Sequence, residues 1–259
     1  DIMMDNDINI DCIVGTSAGA LFGPNYFSNQ RGRAIRYNKR FCKDRRNISM
    51  LSFILTGNVV NKNFAYYKIT KELDIFDDET YKKNNTGFYA VVTNVETGKP
   101  EYIEIDSCFE KMEALRATSA MPLVSRMVEI NGNKYLDGGI ADSIPIKAAI
   151  NMGFEKNIVV LTRPSGYRKH KFSMLWLAKI VYRKFPNFIK ALKVRHEDYN
   201  QTLDYIKELE DSKKILVIRP SKLIKISRME TNPEIIKQMY ELGRSDGLNM
   251  LAKVREFIL

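Results

Sequence analysis

The sequence predicts an α/β fold, with a mostly parallel sheet covered on both sides by helices. Apolar runs rich in β-branched and aromatic residues alternate with helical stretches along the chain, the pattern of successive βα units. No internal repeat, low-complexity tract or Pro/Gly/Ser linker interrupts the alternation. A single domain over residues 1–259 is expected, although roughly 100–200 residues per domain would also allow two small ones.

The elements follow in chain order. An apolar run at 8–14 predicts the first strand, and runs at 88–93 and 102–105 the next two. A helix is expected over 109–118. Strands at 127–130 and 134–136 flank Asn131-Gly132, a strong hairpin signal because both central positions of that turn need positive φ. Residues 146–152 form a short helix closed by Gly153 at C′. Strands at 158–162 and 215–219 enclose a basic helical segment, 164–210, which Pro186 breaks in two. The last helix, over 232–258, has Pro233 at its first position. Its core-packing face carries Ile236, Met239, Tyr240, Gly243, Gly247, Leu251, Val254 and Ile258.

Composition narrows the function classes. Hydrophobic residues make up 44% and charged residues 28%, enough for a sizeable core and against long disordered stretches. No apolar run approaches the ~20 residues of a membrane-spanning helix, and no signal peptide opens the chain. Cys12, Cys42 and Cys108 are odd in number and far apart, and His170 and His196 are the only histidines. Neither a disulfide framework nor a metal site is expected, nor any cofactor, and a reducing, cytoplasmic compartment fits. The chain begins at Asp1 rather than Met, so further residues are expected at the front of the natural protein.

The net charge of +10 is concentrated. Between Arg163 and Arg195 there are ten basic residues and no acid, and the remainder of the chain balances. Such a patch points to an anionic partner. Nucleic acid is not expected, because no aromatic RNP-type strand or G-x-x-G clamp accompanies the cations. Between Lys171 and Val194 the cations interleave with apolar residues that include Trp176. Peripheral contact of residues 163–195 with an anionic membrane surface is one expectation, and plain packing of the apolar face on the domain is the other.

The most informative residues are Gly15-Thr16-Ser17-Ala18-Gly19, a G-x-S-x-G run after an apolar strand and before a helix-forming stretch. On so sharp a strand-to-helix turn the serine is held in strained geometry, and side chains two positions away would collide. Glycines at 15 and 19 are expected to remove that collision. The serine hydroxyl then faces a helix N-terminus, with the Ala18 N–H as the natural first oxyanion donor. A small-residue βα turn that merely packs tightly or cradles a phosphate is the bland alternative.

A nucleophilic serine needs a proton acceptor. His170 lies in a basic loop without an acid nearby, and His196 lies in an expected helix, so neither suits a base on a loop at a strand end. Asp137 is better placed, at the end of a strand and before Gly138-Gly139, where two glycines admit a close neighbour. An aspartate carboxylate, ordinarily titrating near pH ~3.9, works on serine only when desolvated and close. A plain D-G turn is the alternative.

Together the G-T-S-A-G and D-G-G motifs resemble the patatin-like phospholipases, most closely their bacterial intracellular branch. The resemblance extends through Thr93-Asn94-Val95-Glu96-Thr97-Gly98, Arg116-Ala117-Thr118-Ser119-Ala120-Met121-Pro122, the stretch from Asp137 to Pro145, and Val160-Leu161-Thr162-Arg163-Pro164. It implies a three-layer α/β/α sandwich and a Ser–Asp dyad, with Ser17 as nucleophile and Asp137 as base. It also implies lipid ester substrates, mainly phospholipids and lysophospholipids. That family opens with a Gly-rich oxyanion loop, whereas no glycine precedes Gly15 here; Ala18 is then the one oxyanion donor to be named. Two other readings stay open: a Ser–Asp–His triad using His170 or His196, and a non-catalytic membrane- or RNA-binding domain that keeps the motifs as relics.

Overall fold

The structure is a computed structural model that describes residues 1–84, 86–227 and 229–259. Seven strands are present among the described residues: β1 (Cys12–Thr16), β2 (Gly87–Asn94), β3 (Pro100–Glu104), β4 (Val128–Ile130), β5 (Asn133–Asp137), β6 (Asn157–Val160) and β7 (Ile215–Ile218). The helices of the first half are α1 (Ile2–Asp5), α2 (Ala18–Phe22), α3 (Pro24–Phe27), α4 (Arg33–Phe41), α5 (Met50–Thr56) and α6 (Asp78–Lys83). Those of the second half are α7 (Met112–Thr118), α8 (Ile146–Asn151), α9 (Leu175–Val181), α10 (Pro186–Asp211) and α11 (Pro233–Ile258). A wider-wound helical stretch, Asn63–Leu73, and a 3-10 turn, Gly138–Ile140, complete the set.

The fold is α/β, but its central sheet is mixed rather than mostly parallel. Only β1 and β2 pair in parallel there; β2–β3, β2–β5 and β4–β5 are antiparallel. For β2–β3 and β4–β5 the reason is connection length, since a short turn can join only antiparallel neighbours. Asn131 (φ 50°) and Gly132 (φ 80°) make the expected tight turn between β4 and β5. Between β2 and β3, the Asn94 side chain accepts the N–H groups of Glu96 and Thr97, and Gly98 adopts φ +68°. The strands expected at 158–162 and 215–219 also leave the central sheet, pairing with each other in parallel as β6 and β7.

One consequence of this pairing positions the site. Strand β3 covers one edge of β2 from Tyr89 to Thr93. The other edge is shared: β1 occupies it up to Thr16 opposite Val91, and β5 occupies it from Asp137 opposite Val92. Because β1 runs parallel to β2 and β5 antiparallel, their carboxyl ends meet head to head. Residues 17 and 137 are therefore neighbours despite the 120 positions between them.

Two large apolar clusters flank this junction. One gathers Val92, Val128 and Leu136 with Ala178, Tyr182, Phe188 and Leu192 from the segment that holds α9 and α10. The other gathers Ala20, Phe27, Tyr81, Phe88, Met112 and Leu115. In the basic segment, Pro186 does separate two helices, and the apolar residues divide between roles: Ala178, Tyr182, Phe188 and Leu192 are core, whereas Trp176, Ile180 and Val181 are exposed. In α11 the buried residues are Leu242, Asp246 and Val254, while Gly243 is exposed. Val254 is buried as expected and the other members of the expected face, Gly243 apart, are half-buried, while Leu242 and Asp246 join the buried stripe, the Asp246 carboxylate accepting the Ser221 N–H at 2.9 Å.

Candidate active site

Ser17 sits between β1 and α2 with φ 53° and ψ −116°, a left-handed backbone that costs a non-glycine residue about 1–3 kcal/mol and persists only where its surroundings enforce it. Gly15 is one such constraint. A Cβ there would lie 2.7 Å from the Ala20 nitrogen and 2.8 Å from its Cα, so only glycine lets the strand end touch the helix that follows. Gly19 differs from the expectation: a Cβ at that position meets nothing within 4 Å, because the residue faces outward on α2. The Thr16 hydroxyl donates to the Asp142 carbonyl at 3.3 Å.

The Ser17 Oγ–H donates to Asp137 Oδ2 at 3.0 Å. Asp137 is buried at 7% exposure, and its other carboxyl oxygen, Oδ1, accepts the Gly139 N–H at 2.8 Å. The backbone around it is fixed as well. Its N–H donates to the Ala120 carbonyl at 2.8 Å, and its carbonyl accepts the Thr93 hydroxyl at 2.9 Å. Gly138 has no room for a side chain, since a Cβ there would fall 2.0 Å from the Val91 carbonyl oxygen. The two glycines after the aspartate thus do different things: Gly138 allows β5 to close on β2, and Gly139 supplies a donor.

Ser17 donates its own N–H to Thr118 Oγ1 at 2.9 Å, and that hydroxyl donates in turn to the Val91 carbonyl. Ala18 is the first residue of α2 and exposed, so its N–H has no acceptor within the helix. His170 is exposed on its loop, and His196 lies in α10 with Nε2 3.6 Å from Glu197 Oε1. Among the described residues, the partner of the Ser17 hydroxyl is Asp137.

Three residues that hold this pair escaped the sequence reading of roles. Thr118 and Thr93 stand in motif stretches but lock backbone groups far away in the chain. Arg195 counted only as one cation of the basic run, yet its guanidinium Nε donates to the Gly139 carbonyl. It reaches from α10 to the turn that follows Asp137.

A cavity opens against the chain segment that follows Thr118. Val59, Val60, Tyr66, Ala120, Met121 and Val124 are among its walls, and Ser119 and Ala120 follow Thr118 directly. The Tyr66 hydroxyl meets Ser119 Oγ at 2.8 Å, and burial, reinforced by the Asp137 charge, raises its pKa above the ordinary phenol value. At the rim, Lys62 and Arg116 both pair with Glu113, at 2.8 and 2.6 Å. Burial works against the Glu113 charge, but these partners together hold its pKa down, to about 2.

A hydrogen-bonded serine and buried carboxylate at the meeting of two strand ends is an arrangement that can carry acyl transfer. The patatin-like phospholipase family matches residues 4–150, more than half of the chain. The chain belongs to that family. Both Ser17 and Asp137 lie inside the patatin-like region, whereas Arg195 lies in a second match, to a domain of unknown function (DUF6363) over residues 185–259. The uncharacterized protein YjjU of Escherichia coli (strain K12) is 26% identical over 255 residues, spanning 96% of this chain and 70% of that protein.

Proposed function

We propose that the protein is a serine hydrolase that cleaves carboxylic esters of phospholipids or lysophospholipids through a Ser–Asp dyad. The observation that carries this reading is the 3.0 Å bond from Ser17 Oγ to the buried carboxylate of Asp137, at a strained strand-to-helix turn. Ser17 Oγ attacks the ester carbonyl carbon while its proton passes to Asp137 Oδ2. The carbonyl oxygen becomes an oxyanion facing the Ala18 N–H, and such a donor is typically worth ~10²–10³ in rate. Collapse expels the alcohol, which takes the proton from Asp137, and leaves an acyl group on Ser17. Water then repeats the sequence with the same base and releases the fatty acid.

The Gly139 N–H on Oδ1 leaves Oδ2 directed at the serine, so the carboxylate does not have to rotate before taking the proton. The reading includes peripheral contact of residues 163–195 with an anionic inner membrane surface, supported by the exposed Trp176, Ile180 and Val181 on α9. No helix among the described residues is long and apolar enough to cross a membrane.

Labelling with a fluorophosphonate probe tests the proposal. The adduct is expected on Ser17, and Ser17→Ala should lose both labelling and ester turnover while keeping the wild-type circular dichroism. Undiminished hydrolysis in that variant removes the enzymatic account and leaves the relic reading.

A further inference from the structure

The net balance outside residues 163–195 hides a second basic stretch. From Arg31 to Lys71 there are eleven Lys/Arg residues and one acid, Asp44. In its middle lies α5, Met-Leu-Ser-Phe-Ile-Leu-Thr, whose amphipathicity is inverted. Met50, Leu51, Ile54 and Leu55 are 66, 64, 75 and 71% exposed, while the polar Ser52 is buried. Positions 50, 51, 54 and 55 fall on one helical face, so four large apolar side chains stand together in solvent. A contiguous patch of this kind marks a contact surface.

Three observations bear on what covers it. First, exposed cations border it at both ends. Lys43, Arg45 and Arg46 precede α5 by no more than seven residues, and at its C-terminal end a Cβ on Gly57 would lie 2.6 Å from Arg126 Nε. Apolar side chains ringed by cations complement an anionic lipid surface, with acyl chains below and charged headgroups above. Second, α5 is attached to the cavity lined by Ala120, whose carbonyl accepts the Asp137 N–H. The Val59 N–H donates to the Val124 carbonyl at 3.0 Å, and both residues line that cavity. Third, the end of α9 holds the same chain segment from elsewhere, because the N–H of Leu123, next to the lining residue Val124, donates to the Tyr182 hydroxyl at 2.9 Å. The cavity segment is thus tied to α5 and α9, each of which exposes several large apolar side chains.

We infer that α5 is a lipid-inserting element. Met50, Leu51, Ile54 and Leu55 enter the acyl layer of an anionic phospholipid surface, Lys43, Arg45, Arg46 and Arg126 meet its headgroups, and the cavity lined by Val59, Ala120 and Val124 opens toward the lipid. The inference rests on the lipid-ester reading for its purpose, but binding is measured without catalysis. It is distinct from the contact assigned to residues 163–195.

The test uses the whole chain carrying Leu51→Gln, Ile54→Gln and Leu55→Gln, which removes exposed groups and keeps good helix formers. Sedimentation is measured with vesicles of phosphatidylcholine alone and of phosphatidylcholine with phosphatidylglycerol. Wild type is expected to bind the anionic vesicles, and the triple variant to bind them at least about tenfold more weakly. Lys43→Gln with Arg45→Gln should lower anionic-vesicle binding about fivefold per residue and flatten its salt dependence. Hydrolysis of a short soluble ester and the thermal midpoint should not change in either variant. Ser17→Ala should bind vesicles like wild type, so the failure of docking and the failure of the hydrolase reading give different results. A wild type that ignores anionic vesicles, or a triple variant that binds them as well as wild type, overturns the inference. A dimer that dissociates on the triple substitution, with vesicle binding unchanged, assigns the face to a second copy of the chain instead.

Discussion

In the proposed mechanism Ser17 and Asp137 divide the chemistry so that each atom has one task. The Ser17 N–H is committed to Thr118 and its Oγ–H to Asp137, and the proposed mechanism assigns the neighbouring Ala18 N–H to the developing oxyanion. Asp137→Asn keeps the shape but cannot take a proton. Turnover of a soluble ester is expected to fall at least ~10³-fold, within the range of a lost general base. His170→Gln and His196→Gln should each stay within about threefold of wild type. A collapse in either histidine variant with normal folding moves the base to a triad. Both members of the pair were legible in the sequence because their backbone demands leave a local trace: Gly15 two positions before the serine, and Gly138 directly after the aspartate. Thr93, Thr118 and Arg195 left none. Each acts through a hydrogen bond to a backbone group at least 27 positions away, and nothing in a linear pattern announces such a partner.

At the scale of elements, the site is a property of β2, whose one edge receives β1 and β5 end to end. The strands themselves were legible, and so was the β4–β5 turn. Their direction was misjudged because alternation of strands and helices suggests parallel pairing, while the two short turns at Asn94–Lys99 and Asn131–Gly132 require antiparallel pairing. The glycines test how tightly this junction is closed. Gly138→Ala puts a methyl 2.0 Å from the Val91 carbonyl oxygen; that atom belongs to the backbone of β2 and cannot swing aside. The substitution should destabilise the protein by at least ~1–3 kcal/mol and push Asp137 off Val92, with ester turnover lost alongside. Gly19→Ala enters open space on a helix and should be neutral or stabilising by up to ~1 kcal/mol. Thermal midpoints of the two variants check both signs, and a Gly138→Ala protein as stable and active as wild type would show that β5 has room to move.

Over the whole molecule, residues 185–259 are joined to the rest of the chain at several independent points. Strand β6 at residues 157–160 pairs with β7 at 215–218 along its full length. Arg195 reaches the Gly139 carbonyl behind Asp137. Phe188 and Leu192 are core residues in the same cluster as Val92 and Leu136. At the other end, Tyr240 donates to the Asp1 carboxylate at 2.6 Å, and Arg244 pairs with Asp5 at 3.1 Å. Separating residues 185–259 from the rest would expose Val92, Val128 and Leu136 and unpair β6, so neither part keeps a closed core. The expected outcome is one cooperative unfolding transition for the whole chain. In calorimetry its enthalpy should approach the ~0.7 kcal/mol per residue typical near 60 °C, about 180 kcal/mol here, with a van't Hoff value to match. Independent regions would instead give two transitions, the smaller near ~50 kcal/mol for residues 185–259 on the same scale. In that case Arg195→Ala would shift only the smaller transition. In a single unit the same substitution lowers the one midpoint and the ester turnover together, because the guanidinium that leaves is the one holding the turn after Asp137.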